Sequence, residues 1–308
     1  MKISSVIVTW NQTDLTLDCL AALERAGAPL ADAWVVDNGS EPAALPAIHA
    51  RFPDARVLRL AENQGFAGGS NAGARAALAD GAEALLLLNN DALIEPETLP
   101  ALAAALERDA GLAAVSPKVY YAVEGRIIQS VGMRVDPDSG QARMIGATEP
   151  DRGQHDRPAD RDALFGCAML IRRAAWEQVG ELWAPFFNYA EETDWCLRAR
   201  RLGWRLGYVP RAIVWHRTSS TLGWDSPLKL YLMTRNQLYL RRRHTRGGWR
   251  GLRGLAYAAY VSGRTWARYM RRRQRRQARA LELAWWDYAR RRAGDSRTAT
   301  LELIERST

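Results

Sequence analysis

Through the first 115 residues, short apolar runs alternate with longer stretches in which apolar residues recur every three or four positions. The runs at 3–9, 34–36, 55–58, 84–88 and 112–115 have strand length, and the segments at 14–25, 41–51, 67–78 and 96–108 have helical period. V-I-V and L-L-L-L are apolar without alternation, which predicts strands covered on both faces. The fold class expected is therefore α/β, a doubly wound, mainly parallel sheet flanked by helices, with ligands beyond the carboxyl ends of the strands. From 117 to 162 the pattern loosens into Gly-, Asp- and Pro-rich sequence with short strand candidates, an irregular insertion expected beside the site. A strand at 164–172, helices at 174–179 and 192–202, and strands over 204–216 broken at Pro210 follow. After Pro227 helical period runs to Arg292. The expected organisation is a domain over 1–222 and a basic, amphipathic helical region over 223–308.

With 47% apolar and 25% charged residues among 308, collagen-like, disordered and disulfide-scaffold readings are excluded. The net charge of +9 is unevenly placed. Residues 241–292 carry seventeen Arg, no Lys and two acids, Glu282 and Asp287, a local +15, which leaves the remainder at −6. Cys19, Cys167 and Cys196 are odd in number and lack metal-ligand spacing, which points to a reducing compartment. The chain starts directly in a strand pattern without a signal-peptide run, and no apolar stretch reaches the length needed to span a bilayer. The expected location is the cytoplasm, with peripheral attachment to the inner face of the plasma membrane.

Four strand ends release polar or Gly-rich residues into one crevice: V-T-W-N-Q, V-V-D-N-G-S, the segment E-N-Q-G-F-A-G-G-S-N-A-G, and L-L-L-N-N-D. Thr9 and Asn11 can hydrogen-bond a base or ribose, and Asp37 can accept from an imide or a sugar hydroxyl, although Asp37-Asn38-Gly39-Ser40 also reads as a turn with a helix cap. Gly65, Gly68 and Gly69 permit close backbone approach where a helix N-terminus favours phosphate. Asp91, after an apolar strand, can hold a divalent metal or cap a turn. Glu191, Glu192 and Asp194 place three acids at the start of a basic helix; capping and dipole effects account for some of that charge, and mutual repulsion would raise one pKa toward general-base use. His216, at a strand end, can ligate metal or satisfy a turn.

Taken in order, V-I-V-T-W-N, V-D-N-G-S, E-N-Q-G-F-A-G-G-S-N, L-L-L-N-N-D, F-G-C-A-M-L-I-R-R, E-E-T-D-W-C-L-R-A-R-R-L-G-W and V-W-H resemble a family 2 glycosyltransferase, in particular its rhamnosyltransferase-like branch, over residues 3–217. The resemblance implies a GT-A fold, an inverting transfer, a divalent cation (Mg2+ or Mn2+), and a nucleotide-sugar donor such as dTDP-rhamnose or a UDP-sugar. It makes Thr9, Asn11, Asp37, Asn38, Asn63, Gly65, Phe66, Gly68, Asn71, Asn89 and Asn90 donor-binding positions. Asp91 and His216 become metal ligands, Asn89 standing where the family's first metal-motif acid is usual. Glu192 aligns with the catalytic base, with Glu191 and Asp194 as the alternatives.

The R-N-Q-L-Y-L-R-R-R-H stretch from Arg235 to His244 resembles a Tyr-rich segment that follows the catalytic domain in this branch. Beyond it, Trp249, Trp266, Trp285 and Trp286 among arginines have the composition of a helix at an anionic membrane surface, where a polyprenyl-linked saccharide acceptor would be met. The same residues could decorate a solvated helix or form a homodimer seam. Two other functions compete: a polyanion or nucleic-acid binder working through the arm, for which no specific recognition motif is present, and a sugar-phosphate nucleotidylyltransferase, for which an early basic triphosphate loop is missing.

Overall fold

A computed structural model describes residues 1–123, 125–217, 226–245 and 248–293. In chain order these form β1 Ile3–Thr9, α1 Thr13–Arg25, β2 Ala33–Asp37, α2 Leu45–Arg51, β3 Arg56–Arg59, α3 Gly65–Ala79, β4 Ala84–Asn89, β5 Ala92–Ile94, α4 Thr98–Arg108, β6 Leu112–Tyr121 and β7 Ile128–Ser130. There follow β8 Met133–Val135, β9 Ala142–Met144, β10 Ala159–Asp160, β11 Ala168–Arg172, α5 Arg173–Val179, α6 Glu191–Arg201, β12 Arg205–His216, α7 Pro227–His244, α8 Trp249–Arg271 and α9 Arg275–Ala289.

The main sheet has the order β10-β12-β6-β11-β4-β1-β2-β3. β3, β2, β1 and β4 are parallel neighbours; β11 enters antiparallel between β4 and β6, and β12 returns parallel to β6. β4 shows why these apolar runs become central strands. Leu86 and Leu88 face a core layer shared with Leu20, Leu23 and Leu106, while Leu85 and Leu87 face a second layer with Ala74, Trp176 and Trp195. The fold is thus the expected mainly parallel α/β sheet, covered on both sides, with helices following at the C-terminal end.

Several boundaries differ from the sequence expectation. β6 runs through Pro117 to Tyr121, because β12 pairs with it to the end. Pro210 does not break β12 into two strands; the ladder to β6 shifts register between Val209 and Ile213, absorbing the missing N–H in one continuous strand. The short strands expected in the loosely patterned segment are there, as β7, the β8–β9 hairpin and β10. α3 begins at Gly65, so most of the Gly-rich motif is helix. The expected boundary at 222/223 lies outside the described residues.

Candidate active site

The residues expected on the donor side are mostly committed to shaping the crevice. Asp37 is fully buried; its Oδ1 accepts from the Ser40 N–H, and its Oδ2 from the Ala44 N–H and Arg59. That is the turn-and-cap arrangement, with no face open to a ligand. The Thr9 hydroxyl, also buried, lies 2.8 Å from that of Thr16. Asn38 donates to Asn63 Oδ1 and Gly65 O and accepts from the Gln64 N–H, tying the β2 turn to the start of α3. Gly65 has φ +73°, and a Cβ there would stand 2.2 Å from Phe187 O. At Gly69 a Cβ would meet Val8 at 2.7 Å, so this glycine serves close helix-to-sheet packing. Gly68 faces the side chain of Gln64 and Phe66 packs on the core. Both amide atoms of Asn71 bond the Leu182 backbone, at 2.8 and 3.0 Å, which makes it a buried clamp. Asn11 remains at the rim of an open depression of about 350 Å3 between the ends of β1 and β2, together with Gln12, Thr13, Asp14 and Glu41.

Gln12 connects this depression to the fourth strand end, its Oε1 accepting from Asn90 Nδ2 at 3.3 Å. Beyond Asn90, Asp91 Oδ1 lies 3.0 Å from His216 Nε2, and Asn89 Nδ2 lies 3.2 Å from the same nitrogen. β12 pairs antiparallel with β5, placing His216 opposite Ala92, which brings the two side chains together from positions 125 apart in sequence. His216 Nδ1 is 2.8 Å from Gln129 Oε1, which can only accept, so the neutral ring carries its proton on Nδ1 and turns the Nε2 lone pair toward Asp91. A lone pair facing a carboxylate is unfavourable unless a proton or a cation lies between them. The 3.0 Å spacing is also that of neighbouring ligands around a six-coordinate cation with bonds of about 2.1 Å. Among the described residues no third His, Cys, Asp or Glu completes a cluster. The pair therefore fits a cation that takes its other ligands from a diphosphate and water, as Mg2+ characteristically does.

The acidic residues enter on a strained loop. Phe187, Tyr189 and Ala190 have φ of 68°, 73° and 76°, left-handed values that L residues rarely adopt and that cost on the order of 1 kcal/mol or more each. The loop is held by α7. Asn236 Nδ2 lies within 2.9 Å of Phe186 O, Asn188 O and Tyr189 O, while Arg235 donates to Pro185 O and Phe186 O. Arg235 and Asn236 are buried, and Arg235 also reaches Tyr231, whose hydroxyl donates to Asp287 of α9. The Ala67 N–H donates to Phe187 O, so the same loop touches the Gly-rich helix.

Within α6 the three acids part company. Glu191 is buried and its Oε2 has no hydrogen-bond partner among the described residues; burial, then the charge of Glu192, push its pKa well above the carboxylate range. Burial also raises Glu192, hydrogen bonds from the helix N-terminus offsetting only part of the effect. For Asp194 burial is outweighed by hydrogen bonds from His244 and Arg243 and by the charge of Arg198, which hold it well below the carboxylate range. Its carboxylate ties α6 to the end of α7.

Three consecutive residues join the two centres. The Phe165 ring stands edge-on to His216 with centroids 5.8 Å apart, Gly166 packs against the Glu192 side chain, and Cys167 O accepts from the Asn89 N–H. Burial, then the neighbouring Asp91 carboxylate, push the Cys167 thiol up. Asp91, His216 and Glu192 thus flank one short segment. Gln129 carried no sequence signal of this role, and Gln12, Phe165 and the R-N pair of α7 stood out only as parts of motifs.

The family model described as glycosyl transferase family 2 matches residues 4–179. The N-acetylglucosaminyl-diphospho-decaprenol L-rhamnosyltransferase of Mycobacterium tuberculosis is 28% identical over 266 residues, 80% of this chain and 85% of that one. The low-salt glycan biosynthesis hexosyltransferase Agl10 of Haloferax volcanii is 28% identical over 190 residues, 60% of this chain; the match spans 59% of that relative's length. Among solved structures, the mannosyltransferase PcManGT of Pyrobaculum calidifontis, in complex with GDP-Man and Mn2+, superposes with TM-score 0.55 at 14% identity over 94% of this chain and 87% of that one. GalNAc-T7 with UDP, GalNAc and Mn2+ gives 0.62 at 17% identity over 79% of this chain and 48% of that one.

Proposed function

Because the chain belongs to glycosyl transferase family 2, we propose that it is an inverting glycosyltransferase moving a sugar from a nucleotide-diphosphate donor to a hydroxyl of a lipid-linked saccharide in cell-surface glycan synthesis. The observation that carries this reading is the flanking of Phe165–Cys167 by the Asp91–His216 pair on one side and Glu192 on the other. Similarity to the mycobacterial N-acetylglucosaminyl-diphospho-decaprenol L-rhamnosyltransferase favours rhamnose as the sugar and a polyprenyl-diphosphate-linked acceptor; the donor is then dTDP-rhamnose, with a UDP-sugar as the other donor class. Such an acceptor would be met at a membrane surface.

In this reading Asp91 and His216 would hold Mg2+ or Mn2+, with Gln129 fixing the imidazole tautomer. A bound cation supplies neutralising charge for the departing diphosphate. Asn11 and Gln12 form the nucleotide side, while Asp37, Asn38, Asn63 and Asn71 keep the crevice in shape. Glu192 takes the proton from the acceptor hydroxyl as its oxygen attacks the anomeric carbon and the nucleoside diphosphate leaves from the opposite face. One carboxylate suffices, because the leaving group departs as an anion and needs no proton from an acid, unlike the two-carboxylate arrangement of glycoside hydrolysis. Burial, which favours the uncharged form of Glu191, lessens the negative charge beside the base. The test is a panel of nucleotide sugars with Mn2+ and Mg2+, read by release of nucleoside diphosphate. Turnover with one donor class, lost in both Asp91→Asn and Glu192→Gln, is expected; turnover unchanged in either variant would overturn the role given to that residue.

A further inference from the structure

Between Asp225 and Glu282 the sequence contains no acid. α8 spans the middle of this stretch, and Gly254 is the one buried position among its described residues. A Cβ there would meet Asp138 O at 2.9 Å, so the helix is seated on the insertion through a glycine; it also packs along α9, where Trp266 donates to Glu282, and its opposite face is left uncovered. At 3.6 residues per turn, Trp249, Leu252, Ala256, Tyr260, Gly263 and Met270 fall in one strip about 80° wide. Trp249 is 73% exposed, Leu252 61% and Tyr260 59%. Arg253, Arg264, Arg268 and Arg271, all exposed, line the adjoining edge. An uncovered apolar strip bordered by arginines, on a helix without a single acid, is complementary to a surface that is apolar beneath and negative on top. No helix among the described residues is long and apolar enough to cross a membrane.

We propose that α8 docks on an anionic bilayer surface, lying in its plane with the Trp249–Met270 strip in the headgroup–acyl boundary and the arginine edge among the lipid phosphates. At about 1.5 Å per residue the helix offers a contact roughly 34 Å long. This deepens the proposed function by naming the surface that meets the lipid-linked acceptor. Its test uses vesicles without any acceptor or donor, so that loss of binding and loss of sugar transfer are read separately.

The full chain is sedimented with vesicles of phosphatidylcholine alone and with 30% phosphatidylglycerol. The expected result is pelleting with the anionic vesicles that weakens as salt is raised, and little with the neutral ones. Leu252→Asp/Tyr260→Asp/Met270→Asp should stay in the supernatant at all salt concentrations. Arg253→Gln/Arg264→Gln/Arg268→Gln should lose binding by roughly fivefold for each charge removed. Both variants change exposed positions, and circular dichroism and donor hydrolysis in solution should match the parent chain. A parent chain that stays in the supernatant with anionic vesicles at low salt would overturn the proposal, as would variants that pellet like the parent. A strip that instead mediates a dimer, lost in the apolar variant and indifferent to vesicles, would also overturn it, as would tighter binding to duplex DNA than to the vesicles.

Discussion

Three carboxylates share the first turn of α6, and their surroundings drive their proton affinities in opposite directions. Burial raises Glu191 and Glu192, so transfer should increase with pH through a midpoint above the ordinary Glu value of about 4.3, as Glu192 becomes able to accept a proton. The folded chain holds these protons more tightly than the unfolded one, so their contribution to stability is complete at low pH and is lost as pH rises through the raised values. Glu191→Gln should abolish part of that loss, seen as a smaller drop in melting temperature between pH 5 and pH 8. Asp194 behaves in the opposite sense. Its stabilisation is present above the ordinary Asp range and disappears as pH falls toward its depressed folded value. Asp194→Asn leaves Arg243, His244 and Arg198 without their common anion and should cost about 3 kcal/mol in urea unfolding at pH 7. The sequence presents these three acids as equivalents. Their division comes from residues 49 and 50 positions downstream in α7, which no local pattern connects to them.

At the scale of elements, the loop 185–190 is the joint between the donor-side helix and the acidic turn, and α7 keeps it in place. Asn236→Ala removes a donor that serves three carbonyls, so the left-handed residues it restrains should relax. The expected result is a fall of tenfold or more in kcat with donor KM within about twofold of the parent; a purely structural Asn236 would leave kcat unchanged in the folded fraction. Gly65→Ala sets a Cβ against Phe187 from the other side and should destabilise by about 2 kcal/mol or more, read in the same urea titration. The strands were legible because β1, β2 and β4 are covered on both faces, so the runs 6–8, 33–36 and 84–88 within them are apolar without alternation. The loop was not, since left-handed backbone at Phe187, Tyr189 and Ala190 contradicts the preference of those residues and is imposed by α7. That most of the Gly-rich motif is helix was not legible either, because glycines that admit a neighbouring strand, as Gly69 and Gly73 do, look the same in sequence as glycines of an open loop.

Over the whole molecule, charge and topology divide the work. The described residues before α7 are dominated by the sheet whose strand ends gather Asn11, Asp91 and His216, while the arginine-rich helices both brace the acidic turn and present the uncovered strip of α8. Removing the C-terminal helices should therefore abolish transfer in solution as well as vesicle binding, whereas the α8 surface variants should lose only the latter. The most direct measurement is titration of the matching nucleotide sugar into the parent chain, Asp91→Asn and Glu192→Gln, each with Mn2+ and with EDTA, followed by the rate of transfer in the same samples. The result expected is cation-dependent donor binding in the parent and in Glu192→Gln, its loss in Asp91→Asn, and transfer in the parent alone. Donor binding that ignores both the cation and Asp91, or transfer that survives Glu192→Gln, would contradict a shared site.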